Sequence, residues 1–349
     1  MKQTAARKTQ VRDWLPAPRR VLPVVLVLAA SVSYAMLSRL GEAPAGTPKP
    51  RPPVVIAAAV APAASPAADA PEPYDPFQRR WDAMTAELDG QARRYPGRIA
   101  IYVKDLKRGR EWSYRADDLF PSASLIKVPV MVGIFDKIHQ GDLSLSKQLA
   151  LRRRLRVGGS GSIKWFRDGT RLSVRQLLDH LIAESDNTAM RILIDETGMG
   201  FLQQAFQRMG LVYTEIYPEG LSLSSSRVRY ENFTTAREMG MLFEKIYRGE
   251  MVDRFSSALM LDILKTKRAR TRLAKHLPPG WEIAHKTGLL RRACHDSAIV
   301  FSPEGDYAIT VLTGQNQSYA YAKDYIAKLG RITYGHYRSG SLYAKRPQP

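Results

Sequence analysis

Cysteine is almost absent: Cys294 stands alone in 349 residues. One thiol allows no internal disulfide, which an exported bacterial protein tolerates without demanding it. Histidine is nearly as scarce, with six in the chain. None has a Ser or Asp partner at a recognisable motif, which sets aside a histidine-activated nucleophile. Cys294-His295-Asp296 looks like a triad written in a line, but consecutive strand residues face alternate sides and cannot form one. His180, inside an apolar helix, reads as a satisfied core residue. No cluster of His, Cys, Asp and Glu has metal-ligand spacing, and no Gly-rich loop is present to cradle a phosphate. No metal and no cofactor are therefore expected.

Acidic residues are also few, 33 against 53 Lys and Arg, giving a net charge of +20. Part of that excess lies in Arg152-Arg-Arg154 and Lys265-Thr-Lys-Arg-Ala-Arg270. Such runs are most simply solvated faces, or contacts for anionic lipid and wall polymers; nucleic acid is not expected as a partner. One apolar run is long enough to span a bilayer. Residues 1–20 carry Lys2, Arg7, Lys8, Arg12, Arg19 and Arg20 against Asp13, and the apolar stretch 21–37 follows. Its 17 residues meet the lower limit for a span, and the flanking positives put the N-terminus in the cytoplasm. An inner-membrane anchor with the rest on the periplasmic side is expected. Ser33-Tyr-Ala35 leaves secretion after signal cleavage as the alternative. Residues 38–76 are rich in Pro and Ala and read as a semi-extended spacer. Residues 77–337 are enough for one domain with a large core, and 338–349 form a tail.

Three short motifs within that domain carry the chemistry. The first is Ser124-Leu-Ile-Lys127, at the head of an apolar helical stretch that ends near Gln140-Gly141. Ser124 falls in the first turn, and Lys127 follows one turn later on the same face. A buried amine near a second cation can act as a base for the hydroxyl, and the free N–H groups of the turn can receive an oxyanion. The second, Ser185-Asp186-Asn187, lies between a helix ending near Glu184 and another beginning at Asn187. Ser185 could relay a proton there, and Asn187 could offer its amide to a substrate backbone; a simple helix cap is the plainer reading. The third, Lys286-Thr287-Gly288, reads as a strand followed by strands at 297–301 and 307–312. Such an edge could dock a peptide-like substrate, with Gly288 allowing close approach. The coarse pattern places strands at both ends of the domain with helices between, opening with Arg98-Ile-Ala-Ile-Tyr-Val103 and Glu111-Trp-Ser-Tyr114. This is an α+β arrangement: an antiparallel sheet flanked by helices in three layers, with an all-helical lobe.

With these residues in hand, roughly residues 80–335 resemble the class A β-lactamases and their penicillin-binding relatives. The likeness extends to Val157-Gly-Gly-Ser-Gly-Ser162 and to Thr234-Thr235 at the head of a later helix. It implies Ser124 as nucleophile, Lys127 as base or proton relay, and Ser185 passing the proton onward. It also implies that Asn187 binds the acyl-side amide and that Lys286 and Thr287 hold a carboxylate. The N–H groups of Ser124 and Leu289 would form the oxyanion hole, and Arg291 or Arg292 would be a further carboxylate clamp. The family's loop before the Thr-Thr pair carries a glutamate that activates the hydrolytic water. Here that position falls on Gly220, with Glu219 one residue away, and Phe233 stands where an acid usually pins the loop. Glu219 is thus either the deacylating base or a solvated loop acid. The functions implied are a serine β-lactamase or, alternatively, a D,D-peptidase acting on peptidoglycan stem peptides. A non-catalytic envelope-binding module is a third reading. A monomer is expected.

Overall fold

The computed structural model describes residues 76–218, 221, 231–266 and 270–338. Glu219, the segment 1–37, almost all of the 38–76 spacer and nearly all of the tail lie outside the described residues. Among the described residues no helix is long and apolar enough to cross a membrane.

The elements in chain order are α1 (Pro76–Arg94), β1 (Arg98–Asp105), β2 (Glu111–Tyr114), β3 (Phe120–Pro121) and α2 (Lys127–His139). They continue with β4 (Gln148–Ala150), β5 (Arg171–Ser173), α3 (Val174–Ala183), α4 (Asn187–Thr197) and α5 (Met199–Arg208). The last are β6 (Phe233–Thr234), α6 (Ala236–Arg248), α7 (Arg254–Lys265), β7 (Glu282–Leu290), β8 (Ala293–Phe301), β9 (Tyr307–Gly314) and α8 (Tyr319–His336).

Five strands form one antiparallel sheet in the order β2-β1-β9-β8-β7. Its residues divide by alternation, as a sheet covered on both faces must. On β9, Tyr307, Ile309 and Val311 join the core beneath α1 and α8, whereas Ala308 and Leu312 join the core shared with the helical lobe. Cys294 and His295 separate in the same way: Cys294 lies in the α1/α8 core, and the His295 ring packs edge-on to Phe120. The expected α+β architecture is therefore observed.

Helices, not strands, stand at both ends of the described domain, which corrects the sequence reading. α1 buries Phe77, Trp81, Met84 and Leu88, a spacing of three to four residues in an otherwise charged segment. α8 docks beside it with Tyr325, Ile326 and Leu329. The apolar stripe on each is narrow, and packing against the sheet supplies what local pattern does not. The strands of the hairpin also run longer than expected, because β8 and β9 are central and almost wholly buried.

The fold places β7 on the edge of the sheet, against the turn that carries Ser124. Helix α2, buried from Lys127 through Phe135, runs from that turn into the lobe. The site forms where sheet edge and lobe meet.

Candidate active site

Ser124 sits in a tight 3-10 turn, Ala123–Ile126, rather than in the α-helix proper, which starts at Lys127. Ala123 takes a left-handed conformation with φ +47. The turn is held from outside: Ser122 N–H donates to the Asn232 carbonyl at 2.6 Å. His295 Nε2 lies 2.8 Å from the Pro121 carbonyl, and His295 Nδ1 accepts from Thr313 N–H at 3.2 Å. Those partners fix the ring as the Nε2–H tautomer. Burial pushes its pKa down to about 4, so His295 acts as a neutral strut between the sheet and the turn that carries Ser124.

Lys127 is 2 % exposed. Its Nζ lies 3.5 Å from Ser124 Oγ, 3.1 Å from Ser185 Oγ and 2.7 Å from Asn187 Oδ1. It also donates to the Ser185 carbonyl at 2.5 Å. Ser185, at φ +56, is held in this conformation by its neighbours. Asp186 caps α4 by accepting from Ala189 N–H at 2.8 Å, and its other oxygen accepts from Ile163 N–H at 2.9 Å. Gly161, at φ +100, lies so close that a Cβ there would overlap the Asp186 carboxylate. The cap reading of Ser-Asp-Asn is met by Asp186, and the cap leaves Ser185 facing the two lysines.

Lys286 comes in from β7, fully buried, with Nζ 3.0 Å from Ser185 Oγ and 2.9 Å from the Thr287 carbonyl. Ser185 Oγ therefore bridges the two lysine side-chain nitrogens. Thr287 and Leu289 line a cavity of ≈ 490 Å³ together with Ser124, Lys127, Ser185 and Asn187. Lys286 itself is not among the lining residues, but its Nζ reaches Ser185, which is. Asn187 Nδ2 donates to the Gly158 carbonyl at 2.9 Å, so its amide is engaged on both sides.

Three expectations need correction. The face of Gly288 is turned to protein, since a Cβ there would come 3.1 Å from His295 Cδ2 and 3.3 Å from Ala123 Cβ. The glycine lets the nucleophile turn approach β7 instead of opening space for a ligand. Arg291 and Arg292 are exposed in the β7–β8 turn and do not line the cavity; Arg292 donates to the Gln315 carbonyl at 3.4 Å. His180 is not a core residue: it is partly exposed, with Nδ1 3.0 Å from Glu184.

Two groupings escaped the sequence reading because their members come from separate turns or strands. His180, Glu184 and Asp186 bring ligand-type atoms within 4.8 Å of one another. Their carboxylates already serve the loop: Glu184 accepts from Ser162 N–H at 2.9 Å, and Asp186 accepts the two bonds above. His285 does have an acidic partner, with Nδ1 3.0 Å from Asp296 Oδ1, both fully buried across β7 and β8. Cys294 contacts Arg272 Nε at 3.2 Å, and burial raises its thiol pKa, so it offers no nucleophile.

The flanks of the altered loop are pinned without an acid at 233. Glu238, in the first turn of α6, accepts from Val212 N–H, Tyr213 N–H and Thr214 Oγ1 at 2.6, 2.8 and 2.6 Å. Asn232 Oδ1 accepts from Tyr217 N–H at 2.7 Å. Glu231, beside it, lines the cavity and was not recognised from sequence; burial raises its carboxyl pKa.

Comparison with known proteins agrees with this geometry. The model of the "Beta-lactamase enzyme family" matches residues 82–337. Beta-lactamase VEB-1 of Pseudomonas aeruginosa is 22% identical over 272 residues, covering 73% of this chain and 91% of that protein. Among solved structures, PBP-A is 26% identical with a TM-score of 0.67, covering 72% of this chain and 95% of that one. A mutant of PBP-A was solved as an acyl-enzyme complex with penicillin G.

Proposed function

Because the chain belongs to the beta-lactamase enzyme family and so to the hydrolases, we propose that it opens β-lactam amides as a class A serine hydrolase through an acyl-enzyme on Ser124. The observation that carries this reading is the placement of Ser185 Oγ between Lys127 Nζ and Lys286 Nζ, with Lys127 also reaching Ser124. In this reading Ser124 Oγ attacks the carbonyl carbon and gives its proton to Lys127. The proton passes through Ser185 to the leaving nitrogen as the C–N bond breaks. The Lys127–Ser124 separation is long for a hydrogen bond and would tighten on substrate binding, as free catalytic sites commonly do. Thr287 and Lys286 act at the carboxylate end, Lys286 through Ser185 rather than by direct contact. The apolar segment 21–37 would anchor the enzyme in the inner membrane, with a monomeric domain on the periplasmic side.

A D,D-peptidase acting on peptidoglycan stems is the second reading. It is favoured by β7 standing, among the described residues, at the edge of the sheet beside the cavity, where an extended peptide can add as a strand. The likeness to PBP-A points the same way. Both readings require Ser124. The Ser124→Ala variant should lose covalent labelling by penicillin, read as the mass of the intact protein. Labelling that persists in that variant would remove Ser124 as the nucleophile.

A further inference from the structure

Among the described residues, the charged side chains lining the cavity that holds Ser124 are Lys127, Glu184, Arg191 and Glu231. The two acids differ in how far they are already committed. Glu184 accepts from Ser162 N–H and faces His180. Burial pushes its carboxyl up, but these two partners more than offset it, and the net pKa is lowered. Among the described residues Glu231 accepts from Asn232 N–H at 2.9 Å, and no cation there is paired with it. Its pKa is raised by burial, which makes it the stronger base of the two. Ser122 is on the same cavity wall, and its buried Oγ has no hydrogen-bond partner among the described residues. A buried hydroxyl in that condition is where an ordered water is held, and a carboxylate supplies a second of the two to four partners a water needs.

We infer that Glu231, with Ser122 Oγ, holds and deprotonates the water that clears the acyl group from Ser124. This rests on the acyl-enzyme reading above and deepens it. The water oxygen bonds to the ester carbonyl carbon while its proton goes to the Glu231 carboxylate. The C–Oγ bond then breaks, Ser124 Oγ takes a proton back from Glu231, and the product leaves as a carboxylic acid. The task thus falls to the C-terminal flank of the loop, where the sequence left Glu219 open between deacylating base and solvated loop acid.

The test compares Glu231→Gln, Glu231→Asp and Glu219→Gln with the unaltered full chain. Two acyl donors are used in rapid mixing: a chromogenic cephalosporin and a thioester analogue of an acyl-D-alanine stem. Glu231→Gln should keep a stoichiometric acylation burst while its clearance rate falls about 10²–10⁴-fold, the usual worth of a general base. Glu231→Asp should recover part of that rate. The acid limb of the clearance pH profile should lie above the ordinary value for a glutamate and vanish in Glu231→Gln. A burst with unchanged clearance in Glu231→Gln overturns the assignment. Loss of the burst in that variant, an unaltered acid limb, or loss of clearance in Glu219→Gln alone does the same. If the unaltered chain acylates with both donors but clears neither, no water is activated and the assignment also falls. No burst with either donor in the unaltered chain removes the acyl-enzyme reading itself, a separate failure.

Discussion

At the scale of single residues, the site depends on groups that never touch substrate. His295 is the clearest: it joins β8 and β9 to the Pro121 carbonyl, two residues before the turn that carries Ser124. Its folded pKa of about 4 lies below the ordinary value of 6.5, so folding favours the neutral ring. The stability it gives is complete above about pH 6.5 and is lost as the pH falls toward 4. The loss should be on the order of 3 kcal/mol at pH 4, from about 2.5 pK units at 1.36 kcal/mol each. Urea denaturation across that range should show the slope, and His295→Gln should flatten it; an identical slope in the variant would contradict the strut. Ser124, Lys127, Ser185, Asn187, Lys286 and Thr287 were legible in the sequence because each reactive pair is fixed by a spacing of a few residues. His295, Glu231 and Glu238 were not, because the partners that define them come from segments tens to hundreds of residues away. Arg291 and Arg292 were misplaced for a related reason: a tight two-residue turn directs them outward, and no spacing rule records that direction.

At the scale of elements, the helix α6 is an anchor for the loop that precedes it. Thr235 caps α6 by accepting from Glu238 N–H at 3.1 Å, while the Glu238 carboxylate gathers three donors from residues 212–214. The result replaces an ion pair with charge-assisted hydrogen bonds, which are among the stronger of their kind. Glu238→Ala should cost about 3 kcal/mol in denaturant unfolding, because three donors lose one buried acceptor. A cost within 0.5 kcal/mol of zero, the range of an ordinary surface change, would mean that the loop flanks are held elsewhere. The sheet strands and α2, α3 and α4 could be read from periodicity, since each carries a continuous apolar face. α1 and α8 could not: their few buried positions acquire meaning only when the sheet surface beneath them exists.

At the scale of the whole molecule, a basic and then apolar N-terminal segment precedes a Pro/Ala-rich stretch and the hydrolase domain in the sequence. The central claim concerns the domain: an acyl-enzyme forms on Ser124 and water removes it. Rapid-mixing hydrolysis of a chromogenic cephalosporin tests this most directly. A burst equal to the enzyme concentration, followed by sustained turnover over many equivalents, is the predicted result. A burst followed by silence would contradict β-lactam hydrolysis and leave the D,D-peptidase reading standing.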